Sequence, residues 1–203
     1  MKKSFVILFL VILALSNINC SVYQTIVNIS RLQFRIGKVD NLRVNGVNFE
    51  GKKSAADFNP IEVLKLTSSV VQKKFPVNFT LNVEAKNPND GKGGYARTDA
   101  TIKSFPWSLY VDDKLTISGN IESPVNVPGT GEITVIPIQI RIDLFKFFKD
   151  KDYESLLKLA LAISGNKGSS SKLVLYAQPT LSTILGDITY PQQLKIVDMN
   201  FSN

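Results

Sequence analysis

The chain has 203 residues, with 24 lysines and arginines against 17 acidic residues, a formal net charge of +7, no histidine and one cysteine. Those numbers exclude an internal disulfide and remove the usual general base, a common metal ligand and an internal thiol nucleophile. No basic run is interleaved with aromatics, which argues against a nucleic-acid partner.

Residues 1–19 read as a signal peptide. Lys2 and Lys3 precede the apolar run Phe5 to Leu15, a charged start and a hydrophobic stretch well short of the ~20 residues that span a bilayer. Removing these two lysines lowers the formal charge from +7 to +5, a diffuse excess suited to solubility or weak attraction to an anionic surface. The chain is therefore expected to be exported to the cell envelope.

Cys20 directly follows the signal and resembles the acylated cysteine of bacterial lipoproteins. That resemblance makes Cys20 the candidate lipidation site and residues 20–31 a lipid-anchored N-terminal tether to the membrane. The lipoprotein pattern prefers leucine three residues before the cysteine and a small residue just before it, where this chain has Asn17 and Asn19. A second processing site is present: Ala14-Leu15-Ser16 fits small-x-small cleavage, which would leave a soluble protein with Cys20 as a free thiol. Ser21 lacks the aspartate-type inner-membrane retention signal, so the same resemblance points to the outer membrane. Val22, Ile26, Val27 and Ile29, in place of a Gly/Ser-rich run, predict a domain held close to the bilayer.

From residue 32 to 203 the pattern predicts one domain, mainly of strands. Leu32, Phe34 and Ile36 alternate; the phase shifts after Gly37 and again after Gly46, as bulges or tight bends would produce. Asn59 and Pro60 have the residue types of a helix cap and first helical position. Ile61, Leu64, Leu66 and Val70-Val71 follow with an imperfect apolar face, predicting a helix of two to three turns over Pro60 to Lys74.

The clearest element is Phe75 to Asn89, FPVNFTLNVEAKNPN. Phe75, Val77, Phe79, Leu81, Val83 and Ala85 hold the odd positions and polar residues most of the even ones, the period of a strand with one buried and one wet face. Asn87-Pro88-Asn89 stops it. Beyond the glycine-rich loop Asp90 to Gly94, the runs Ile102 to Val111 and Leu115 to Ile121 flank Asp112-Asp113 and predict a hairpin, with Pro106 marking an edge or a bulge. Ile133 to Ile142 is a β-branched strand in which Pro137 signals an irregularity.

One helical stretch follows, from Asp143 as cap to Gly165, with Lys149-Asp150-Lys151-Asp152 as a point of division. Three aromatics within four residues, Phe145, Phe147 and Phe148, cannot all face one way on a helix, so one is exposed or covers a loop. A small apolar groove beside this helix is one reading. Leu173 to Tyr176, a segment between Pro179 and Gly186, and Ile188 to Val197 supply the remaining strands.

This order of features resembles the type 2 late-embryogenesis-abundant family, also called the water-stress and hypersensitive-response domain, and in particular its small bacterial lipoprotein members. The resemblance covers about Phe34 to the C-terminus. It rests on the strand ending Asn87-Pro88-Asn89, on Leu109-Tyr110-Val111-Asp112-Asp113, on Ile133 to Ile142 entering a helix at Asp143-Leu144, and on Leu173 to Tyr176. It implies an immunoglobulin-like or fibronectin-like antiparallel β-sandwich with two helical insertions. It carries over no catalytic residue.

The chemistry left open is thin. Asp112 with Asp113, and Asp150 with Asp152, are the close acidic pairs, with Glu84 and Asp99 on their strands; a hairpin turn and a helix joint account for them more simply than a cation or paired-acid site. Gly91, Gly93 and Gly94 lack the lysine-serine ending of a phosphate loop. Phe105 and Trp107 share an apolar face and read as core rather than as a sugar or lipid platform. The expectation is a non-enzymatic, lipid-anchored envelope protein without cofactor or metal, protective under desiccation or osmotic stress by family resemblance. The alternative is an envelope binding module for an apolar ligand or a protein partner.

Overall fold

The computed structural model describes residues 23–93, 96–164 and 173–196. Cys20, the signal sequence, Gly94, Gly165 and Val197 lie outside the described residues.

The Phe75 to Lys86 alternation is the centre of the first sheet. Strand β1 (Gln33–Val44), strand β2 (Val47–Asn48), strand β3 (Pro76–Lys86) and the later strand β8 (Ile133–Asp143) pair in the order β2-β1-β3-β8, all antiparallel. Val77, Leu81, Val83 and Ala85 are fully buried and Phe79 nearly so. The opposite face of β3 departs from a fully wet surface. Thr80 and Asn82 are buried as well, because neighbouring strands fold side chains over them: the Asn82 amide donates to Asp40 (2.7 Å), and Arg35 pairs with Glu84 (2.6 Å). Only Asn78 on that face is exposed.

Strand β1 carries both expected phase shifts. Its register with β3 slips between Ile36 and Val39 and again between Asp40 and Arg43. Gly37 lies in the first bulge, where a Cβ would come within 2.8 Å of the Glu84 carboxylate, so a side chain there would displace the Arg35 partner. Asn45 and Gly46, both at positive φ, turn β1 into β2.

Two further four-stranded sheets are halves of one bent layer. Strand β4 (Ala100–Ser104) continues past Phe105-Pro106 into strand β5 (Trp107–Val111); strand β9 (Leu173–Ala177) continues past Gln178-Pro179 into strand β10 (Thr180–Thr183). Strands β6 (Lys114–Gly119) and β7 (Val125–Val127) flank one side, and strands β11 (Gly186–Thr189) and β12 (Leu194–Ile196) the other. At the bend the Gln178 N–H donates to the Pro106 carbonyl (2.9 Å). Pro106 therefore marks a break in an interior strand, and the edge alternative is corrected. The Ile188 to Val197 segment is likewise two strands, parted at Tyr190-Pro191.

Pro137 gives the reverse correction. Its strand pairs with β3 without a register slip from Pro76↔Asp143 to Lys86↔Ile133, so no irregularity occurs. Strand β8 is the edge of its sheet, where a missing N–H need not interrupt the ladder.

The two layers enclose one hydrophobic core, and Phe34 meets Phe105 across it at 5.5 Å. The result is an antiparallel β-sandwich, the fold class that the family resemblance implies. Among the described residues, four α-helical segments and one short 3-10 helix, Ala55–Asp57, accompany it, where two helical insertions are expected. Residues 23–30 form α1, within the stretch read as a tether. Helix α2 (Pro60–Val71) has the expected Asn59 cap and Pro60 start, with Glu62 completing a reciprocal capping box. Its apolar face is narrower than predicted: Leu66 is buried, whereas Ile61, Leu64 and Val71 point to solvent. The later stretch divides at 149–152 into α3 (Leu144–Phe147) and α4 (Tyr153–Ile163), capped by Asp143 and Asp152. Leu156, Leu157, Ala160 and Ile163 of α4 join the core.

Candidate functional site

Asn87-Pro88-Asn89 is more than a stop signal. Asn87 is fully buried and Asn89 nearly so, and a buried amide costs stability unless it is hydrogen-bonded. The Asn87 side chain donates to the carbonyls of Thr98 (2.8 Å) and Val127 (3.0 Å), and its oxygen accepts from the Asn89 N–H (3.2 Å). Asn89 accepts from Arg31 (2.9 Å) and donates to the carbonyl of Asn28 (2.9 Å). One tripeptide thus joins the end of β3 to the 96–99 loop, to the end of β7 and to α1. Gly129 presses into this knot: a Cβ there would lie 2.5 Å from the Asn89 carbonyl and 2.6 Å from that of Thr98. Asp99 closes it by accepting from the Gly129 N–H (2.8 Å).

On the other side of α1, the Tyr190 hydroxyl donates to the Ile29 carbonyl (2.6 Å). Burial pushes the Tyr190 phenol up, well above the ordinary tyrosine range. Both layers therefore hold α1, one through Asn89 and the other through Tyr190.

Between α1 and the β10–β11 hairpin lies a cleft of about 470 Å³. Its walls are largely aliphatic, with Ile29, Ala100, Leu181 and Ile184, and Asn28, Asn89 and Thr98 supply polar groups at its inner end. That volume falls within the ~300–1,000 Å³ range of small-molecule sites, and the mix of walls and a few polar groups is typical of them. A second cavity, of about 570 Å³, lies beside the end of α4 at Ala162 and Ile163, the place of the small groove that the sequence suggests; its walls mix Ile36, Val39 and Leu173 with Arg35, Lys38 and Glu84.

The other sequence candidates take structural positions. Asp112 and Asp113, both at positive φ, form the β5–β6 turn. Asp152 caps α4, and the Ser155 hydroxyl and N–H hold its carboxyl below the usual range; Asp150 is exposed on the α3–α4 joint. Glu84 pairs with Arg35. Among the described residues, no group of three or more Asp, Glu or Cys side chains is placed to hold a metal ion. The Asp90 carboxylate accepts from the Lys92 N–H in its own loop (3.0 Å).

Phe105 and Trp107 are core residues, as their strand face predicts. Gly119 is the floor under the indole, where a Cβ would approach Trp107 to 2.6 Å. Tyr110 faces outward and meets Tyr176 edge-on at 5.3 Å. Of the three helix aromatics, Phe148 is buried beneath Lys114 and Lys151, whereas Phe145 and Phe147 are half-buried. Sequence reasoning passed over Thr98, Gly129 and Tyr190, whose roles depend on contacts between segments remote in the chain.

Neither a family model nor a curated protein matches the chain. Among solved structures it is similar to a protein from Archaeoglobus fulgidus, described only as such. The match has 11% identity over 62% of this chain and 88% of that one, with a TM-score of 0.30. A likeness at that level carries no argument. No helix among the described residues is long and apolar enough to cross a membrane.

Proposed function

We propose that this chain is a non-enzymatic, lipid-anchored envelope protein of the type 2 late-embryogenesis-abundant kind, protective under desiccation or osmotic stress. The observation that carries the anchored part is the attachment of α1. Cys20 precedes Tyr23 by three residues, a reach of at most about 11 Å in extended chain. Because Asn89 and Tyr190 fix α1 to the sandwich, an acyl group on Cys20 holds the whole domain against the outer membrane. Each buried CH₂ of such a group contributes about 0.8 kcal/mol. The stress role rests on the family resemblance.

Intact mass and membrane fractionation of wild type against Cys20→Ala test the anchor. Acyl mass on the wild type and release of the variant are expected; an unmodified, soluble wild type beginning at Asn17 overturns it. Survival of a deletion strain after drying or osmotic shock tests the protective role, and unchanged survival counts against it.

The cleft favours a second reading, a binding module for an apolar ligand. Native mass spectrometry of the detergent-washed protein is the check: a bound lipid-sized species supports this reading, and a bare protein removes it.

A further inference from the structure

Four of the large apolar side chains exposed on this molecule gather at the end where α1 begins. Tyr23 is 70% exposed and Ile26 54%, both on α1; Ile184 is 85% and Leu185 43% exposed, at the tip of the β10–β11 hairpin. The two groups are neighbours, since Ile184 lines the same cleft as Gln24 and Thr25. Isolated apolar side chains on a surface call for no explanation, but a cluster on one end does.

The hairpin tip is built to tolerate a water-poor setting. The Thr183 hydroxyl donates to the Gly186 carbonyl (2.7 Å) and accepts from the Leu185 N–H (3.0 Å). Two polar backbone groups of the turn, the Leu185 N–H and the Gly186 carbonyl, are thus satisfied from within, which lowers the cost of contact with lipid. Behind the tip, Asp187 is bound by Lys103 and by the Ser182 hydroxyl. Its charge is already compensated before it nears an apolar phase.

The sequence that precedes α1 says what covers this end. Cys20 stands three residues before Tyr23, so the acyl group of the anchored reading meets the domain at Tyr23. We propose that the β10–β11 tip, Ile184-Leu185, together with Tyr23 and Ile26, is a bilayer-contact surface that seats the sandwich end-on in the lipid interface. This inference rests on the anchored reading and adds an orientation to it. The rival apolar face, Ile61, Leu64 and Val71 on α2, lies at the other end of β3, beyond the Val44–Val77 pairing that leads into β2. Some 30 Å separates the two ends, at about 3.3 Å per strand residue.

The test uses the full chain reconstituted in vesicles of phosphatidylethanolamine and phosphatidylglycerol with brominated acyl chains. Trp107 is the only tryptophan and is buried, so the emission of each added tryptophan is read as the difference from the wild-type spectrum recorded in the same vesicles. Ile184→Trp and Leu185→Trp are expected to gain blue-shifted emission quenched by the brominated chains, while Leu64→Trp keeps water-like, unquenched emission. Quenching at Leu64→Trp alone, equal quenching at all three, or none at any overturns the proposal. Intact mass at Cys20, measured on the same samples, separates the two failures. An acylated, vesicle-bound chain with unquenched tips sinks only the orientation, whereas an unmodified, unbound chain sinks the anchor with it.

Discussion

Leu81 and Asn87 sit six residues apart on and just beyond β3, and stabilise the fold by different physics. Leu81 is fully buried in the core, so Leu81→Ala removes apolar contact and leaves a cavity, at a cost of about 2–5 kcal/mol. Thr80→Ala, on the partly covered outer face, is expected to cost about 1 kcal/mol. Urea unfolding of the two variants measures the difference, and equal losses would mean the two faces contribute alike. Asn87→Ala removes two donors and strands the carbonyls of Thr98 and Val127, each a buried loss of about 1–3 kcal/mol. Its distinguishing mark is local: amide exchange should quicken in α1 and the 96–99 loop, where Leu81→Ala raises exchange throughout.

At the scale of elements, charge and hydrogen bonds at helix ends set the response to pH. Glu62 is held below its usual range by Lys52 and by the Asn59 N–H, and Asp57 by the N–H groups of Lys53 and Ser54. A carboxylate whose folded pKa is depressed contributes stability above its unfolded pKa, near 4, and loses it as pH falls through the folded value. The urea midpoint should therefore fall as pH drops below about 4, and Glu62→Gln should flatten that limb. Tyr190 works in the opposite direction. Its folded pKa is raised, so its contribution is complete below the unfolded value of about 10 and is lost as pH rises beyond it. Tyr190→Phe frees α1 from the second layer at a cost of about 1–2 kcal/mol, and should weaken the alkaline loss of stability seen by circular dichroism.

On the scale of the molecule, the two ends of the sandwich differ. One end gathers α2, the β1–β2 turn and the Asp112-Asp113 turn; the other gathers Asn87-Pro88-Asn89, α1, the cleft and the Ile184-Leu185 tip. Bending at Phe105-Pro106 and Gln178-Pro179 lets one layer wrap the core while the other runs straight along β3 and β8. Cys20→Ala acts at this scale: it is expected to free the chain from membranes while leaving the thermal unfolding of the sandwich unchanged, since Cys20 precedes every element of the core. Fractionation combined with a melting curve measures both.

Local periodicity and residue type by themselves determined the long strands β3 and β8, the Asn59 and Asp143 caps, the division near Asp152 and the Asp112-Asp113 turn. In each case the residues that decide the geometry are neighbours in the chain. Tertiary structure alone decided which strands are edges, so Pro137 is tolerated without a slip and Pro106 marks a bend inside a layer. It also decided that Asn82 is covered, because its partner Asp40 comes from β1. The candidate site was the least legible part. Asn87 and Asn89 read locally as a turn, and their role as a buried knot depends on Asn28, Arg31, Thr98 and Val127, contributed by segments that only folding brings together.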